Sequence, residues 1–130
     1  MAEIVVADAS PIIALARIDQ LPLLPQLFSR AILPLSVYRE TQRLPELPDA
    51  QSIRAARERA LLHVHESAIQ VISGLPKGSG DGEADAISLA AQIHCGVFMD
   101  EKAGRAAARA LGLQIIGTLA LKPTVKLPTA

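Results

Sequence analysis

Four acidic residues of this 130-residue chain, Asp8, Glu40, Glu83 and Asp100, stand where apolar or turn residues would be expected, and they are the side chains best placed to do chemistry. Glu83 opens a helical pattern. Advancing about 100 degrees per residue from Glu83 places Ile87, Ala90 and Ala86 beside it and completes one arc with Leu89, Ile93 and Ala91. Asp81, Asp85, Ser88 and Gln92 fall opposite, so the wheel puts Glu83 on the buried stripe and its acidic neighbours in water. An ionised carboxylate on that stripe is costly unless a partner or a metal holds it; the competing reading is a capping glutamate at its own helix N-terminus. Glu40 shares a helix face with Val37 and Leu44 and also points inward, with a solvated surface glutamate as the alternative. Asp8 and Asp100 each close an aliphatic strand where the chain turns into a helix, the place where open α/β sheets carry their sites, although Asp100 also suits a helix N-cap. If the first and fourth strands are neighbours, four carboxylates share one cleft. Their repulsion would be relieved by a hard, oxygen-seeking cation, Mg²⁺ or Mn²⁺, whose chemistry there is phosphodiester hydrolysis.

The elements that must position these acids alternate short aliphatic runs with helical patterns, the rhythm of a parallel sheet covered by helices. The sequence predicts a strand over Ile4 to Ala7, then a helix with Ser10 as N-cap and Pro11 in its first position, ending near Ile18. A short helix (Leu21 to Phe28), a strand (Ala31 to Leu33) and a helix opened by Pro34 and carrying Val37, Glu40 and Leu44 follow. The proline-rich LPELPD stops that helix; Gln51 to His65 reads as a charged helix and Ala68 to Ile72 as the third strand. Beyond the glycine-rich loop Ser73 to Gly82, the pattern predicts a helix to His94, a strand Val97 to Met99, an alanine-rich helix Glu101 to Leu111 and a last strand Leu113 to Ile116. Five strands in a three-layer α/β/α domain over residues 1–121 result, followed by an irregular tail over 122–130.

Composition narrows the function classes. Half of the residues are apolar, which excludes disorder, and the length suits one core. Phe28, Tyr38 and Phe98 are the only aromatics, so a nucleic-acid surface of stacked rings is disfavoured. Thirteen basic residues balance thirteen acidic ones, and any nucleic-acid site must therefore be a local patch. Lys102, Arg105 and Arg109 fall on one face of the helix beside Asp100 and could guide a phosphate backbone, or be an ordinary solvated face. A single cysteine, no membrane span and no export signal fit a reducing compartment, and cytoplasm is the expected location. The glycines of KGSGDGE lack any phosphate-loop spacing and read as loop flexibility. His63 and His65, taken as helical, would diverge; His94 and Cys95 read as a packed histidine and a buried thiol.

The stretches IVVADASPIIALARIDQLPLLPQLF and GEADAISLAAQIHCGVFMDEKAGRAAARALGLQIIGTLAL resemble PIN-domain ribonucleases, especially the compact prokaryotic branch related to VapC-type toxins. The resemblance spans residues 4–121 and implies a five-stranded parallel sheet in order 3-2-1-4-5 and a Mg²⁺- or Mn²⁺-dependent nuclease acting on single-stranded RNA. It further implies a small antitoxin partner, while the alanines of the last helix suit either close sheet packing or a helix-mediated homodimer. Asp8 matches the first acid, with Ser10 as the hydroxyl two residues on; Glu40 matches the second acid and Glu83 the third. Asp100 and Glu101 compete for the fourth, with Asp100 ranked first, and Arg105 matches an arginine that often follows. The tail KPTVKLPTA stands where the branch usually has further helices. The rival expectation is accordingly a PIN-like module that binds nucleic acid or protein without turnover.

Overall fold

The computed structural model describes residues 3–73, 75, 81–100, 102, 104 and 111–117. Val5, Val6 and Ala7 have no exposed surface because their strand, Ile4–Ala7 (β1), runs through the middle of a five-stranded sheet. Continuous aliphatic runs are what a parallel sheet covered on both faces selects, and β1 pairs in parallel with Arg30–Pro34 (β2) on one side and Gly96–Phe98 (β4) on the other. His63–His65 (β3) adds to β2 and Ile115–Ile116 (β5) to β4, giving the expected order β3-β2-β1-β4-β5. The helices that cover the sheet include Ala9–Arg17 (α1), Leu24–Leu27 (α2, preceded by a 3₁₀ turn over Leu21–Leu23), Leu35–Thr41 (α3), Pro48–Glu58 (α4) and Asp81–Ile93 (α5). Their buried faces (Ile12 and Leu15 of α1, Val37 of α3, Ile53 of α4, Ile87 and Leu89 of α5) form one core with the strands. Phe98 and Phe28 meet in that core with ring centroids 5.7 Å apart.

Several sequence expectations are corrected. Ser10 is not the N-cap of α1: Asp8 is, with its Oδ1 accepting the Ala9 N–H at 2.9 Å, and Ser10 lies exposed in the first turn. The helix expected over Gln51 to His65 stops at Glu58, because Ala60 takes a left-handed φ of 58° and sends Leu61 and Leu62 back to the core. His63 and His65 consequently lie on a strand, where residues two apart share a face, and not on diverging helix faces. The strand expected over Ala68 to Ile72 is absent; that segment is irregular, with Ile72 N–H donating to Ser88 Oγ at 3.0 Å and Val71 half-exposed. Both segments carry β-favouring residues, and only the tertiary pairing with Ile32 to Pro34 decides which becomes the edge strand.

Ser88 is therefore buried and not solvated, and Leu44 lies past the end of α3, 64% exposed, its expected inward place taken by Thr41. The expected packed His94 is exposed, at a left-handed φ of 57° that ends α5, and Cys95 is half-buried. Arg57 stacks over the Tyr38 ring and pairs with Glu66. The Ser88 contact makes a direct prediction. Ser88→Ala leaves the Ile72 N–H without its acceptor and should cost about 1–3 kcal/mol in urea unfolding. Most of the loop before α5, most of the segment 101–110 and the tail 122–130 lie outside the described residues; within that span Lys102, Gly104 and Leu111 are helical.

Candidate active site

β1 ends at the centre of the sheet, and the next residue, Asp8, is fixed there from both sides. Its N–H donates to the Phe98 carbonyl of β4 at 2.9 Å, and its carboxylate accepts the first amide of α1. Asp8 thus stands over the carboxyl end of the sheet where the chain order reverses, since β2 lies on one side of β1 and β4 on the other. Two further acids reach the same place from separate elements. Glu40, half-buried, comes from the last turn of α3, and Glu83, 8% exposed, comes from the first turn of α5. The inward position of Glu83 follows the stripe formed by Ala86, Ile87 and Ala90, all buried.

The electrostatics record the convergence. Burial pushes the Asp8 carboxyl above the usual aspartate range, the negative charges of Glu40 and Glu83 push in the same direction, and the Ala9 N–H opposes them. Glu40 also touches the start of α5: a Cβ on Gly82 would lie 3.3 Å from Glu40 Oε1 and 3.3 Å from Val37 Cγ2. Ser36 Oγ donates to an Asp85 carboxylate oxygen, tying α3 to α5 one turn away.

Asp100 stands at the same edge but is turned toward the following segment. It is exposed, its Oδ1 accepts the Lys102 N–H at 2.8 Å, and its carbonyl accepts the Gly104 N–H at 3.0 Å, the pattern of a helix cap. Lys102 is exposed beside it. Glu101, Arg105 and Arg109 lie outside the described residues.

Among the described residues no three His, Cys, Asp or Glu side chains form a ready-made metal cage. The donor chemistry nevertheless fits a hard divalent cation. Asp8, Glu40 and Glu83 offer only oxygen, and the Asp8 carboxyl is raised first by burial and then by the negative charges of Glu40 and Glu83, a repulsion that such a cation neutralises. Sequence reasoning missed Gly82, Ser36 and Asp85. Gly82 was legible as a glycine directly before an inward glutamate, whereas nothing in the sequence pairs Ser36 with Asp85.

An open parallel sheet in this order defines an α/β domain, and the candidate site formed by these acids lies at its switch point. The family follows from a model described as a PIN domain that matches residues 4–126: the chain belongs to the PIN-domain family. PIN domains are generally nucleases and typically bind divalent metals. Among solved structures, the chain is similar to a PilT N-terminus domain protein from the hyperthermophilic archaeon Sulfolobus solfataricus, with a TM-score of 0.58 and 14% identity over 98% of each chain. At that identity the likeness shows the fold alone. A search of curated proteins gave no significant match. The expected domain boundary at residue 121 falls outside the described residues, and among those described no helix is long and apolar enough to cross a membrane.

Proposed function

We propose that this chain is a divalent-metal-dependent nuclease that hydrolyses phosphodiester bonds of single-stranded RNA. The observation that carries the reading is the convergence of Asp8, Glu40 and Glu83 from β1, α3 and α5, with the Asp8 carboxyl raised by burial and by the other two. In this reading these three acids would hold Mg²⁺ or Mn²⁺, with Asp100 or Glu101 as the fourth acid. The bound cation supplies an activated water and offsets the charge that develops on the phosphate. Asp8 is held for this task by the Ala9 N–H, and Glu83 lies in the first turn of α5, where the helix dipole favours its negative charge. We assign the exposed Ser10 hydroxyl and Lys102 ammonium to the RNA backbone, with Arg105 and Arg109 added on the sequence pattern alone. RNA as the substrate and a small antitoxin that silences the enzyme rest on resemblance, whereas a cytoplasmic location rests on the single cysteine and a homodimer on the alanine-rich pattern of residues 101–111.

The test is calorimetric titration of the protein with Mn²⁺ and Mg²⁺, with cleavage of single-stranded RNA followed in parallel. Wild type should bind and cleave, and Glu83→Gln should lose both. Saturation offers a second check. At about 100 times Kd the cation should add about 2.7 kcal/mol to unfolding stability, and a chelator should remove that gain. Absence of metal binding by wild type would sink the nuclease and leave a PIN-shaped binding module; metal binding with cleavage of single-stranded DNA in place of RNA would correct the substrate.

A further inference from the structure

We propose that Ser36, Gly82 and Asp85 are positioning residues that clamp α3 onto the first turn of α5 and thereby fix the separation of Glu40 and Glu83. The inference rests on the metal-site reading above and says what holds that site in shape. Ser36 and Glu40 are four residues apart on α3, and Gly82 and Asp85 three apart on α5, so each pair lies along one helix face. The two faces meet at two points. Ser36 Oγ donates to Asp85 at one, and at the other Val37, next to Ser36, and the Glu40 carboxylate, one turn further along α3, lie against Gly82. The second contact is a close approach: a Cβ on Gly82 would be 3.8 Å from Val37 Cα as well as 3.3 Å from Val37 Cγ2.

The clamp has work to do because α3 has only seven residues and is too short to hold itself in place. The acid at its end is repelled by the site it joins. Fastening α3 through Ser36 sets Glu40 against Gly82 before any cation arrives. Substitution at Gly82 acts on the same geometry from the other side. Val37 is fully buried and cannot retreat, whereas the Glu40 carboxylate is the free end of a flexible side chain and gives way.

The test compares Ser36→Ala, Ser36→Thr and Gly82→Ala with wild type on the full chain. Mn²⁺ affinity is measured by calorimetry, melting is measured in chelator, and amide exchange of residues 37–41 and 82–85 is followed in chelator. Ser36→Ala should bind Mn²⁺ about 10-fold more weakly, the usual scale for loss of a partner that orients a ligand, with melting near that of wild type. Ser36→Thr keeps the hydroxyl and should restore affinity; Gly82→Ala should weaken it as Ser36→Ala does. Amides of the two segments should exchange faster in Ser36→Ala and not elsewhere. Wild-type affinity in both Ser36→Ala and Gly82→Ala would overturn the clamp and leave the nuclease reading intact. If wild type itself binds no Mn²⁺, the nuclease reading fails and exchange decides alone: unchanged exchange in Ser36→Ala overturns the clamp. Should Ser36→Ala melt early, Gly82→Ala carries the comparison.

Discussion

Asp8→Asn should lose RNA cleavage by about 10³-fold, the scale of a charge contribution from a bound cation, while melting at a higher temperature than wild type in chelator. The two effects have opposite signs for one reason. In the absence of metal, Asp8 carries a charge into a half-buried site already facing Glu40 and Glu83, and Asn keeps the acceptor for Ala9 N–H while removing that repulsion. The gain should be about 1 kcal/mol, the size of one screened interaction between charges at contact distance. The pH dependence follows from the raised carboxyl. A group that binds its proton more tightly folded than unfolded stabilises the fold fully below its unfolded pKa, and that contribution is lost as pH rises through the folded pKa. The stability advantage of Asp8→Asn over wild type in chelator should therefore shrink as pH falls from neutral into the acid range. Added Mn²⁺ should stabilise wild type and leave the variant unmoved. A variant that melts no higher than wild type at neutral pH would remove the repulsion argument; one that still cleaves would remove Asp8 from the site.

Phe98→Ala should cost about 3–5 kcal/mol in urea unfolding, enough to consume much of the stability of a domain this size. Phe98 is fully buried in β4, packs on Phe28 and is the residue whose carbonyl holds the Asp8 N–H. Loss of the ring opens a cavity directly under the site. Phe98→Leu, which retains most of the volume, should recover the larger part of the loss; equal destabilisation by the two variants would show that aromatic contact with Phe28, and not volume, is what the core requires.

What could be read from the chain depended on whether local pattern or tertiary choice decided the outcome. β1 and α5 were legible because IVVA is too apolar for anything but a doubly covered strand, and because the wheel of α5 has one apolar arc with Glu83 inside it. The third strand was not. HVH follows a run of good helix formers, AIQVI looks more like a strand, and the competition was settled by which segment could lie beside β2 while Leu62 filled the core. The acids divided in the same way. Asp8 and Glu83 stand where strand end and stripe placed them, Glu40 points to α5 although Leu44 does not share its stripe, and Asp100 is engaged as a cap. The contacts that join α3 to α5 link residues 49 positions apart in the Ser36 and Asp85 case, a distance over which no periodicity carries information.

The central place of β1 has a consequence for the order of events during synthesis. Its N-terminal position in the chain is opposed by its partner β4, which lies some ninety residues later, and Asp8 is held by a carbonyl of that late strand. Glu83 emerges only shortly before it. A nascent chain therefore makes Asp8, β2 and Glu40 early, whereas Glu83 and the β4 carbonyl that holds Asp8 are added only when the second half of the chain has left the ribosome. If the chain cuts RNA as proposed, this late closure separates the moment of translation from the moment of competence.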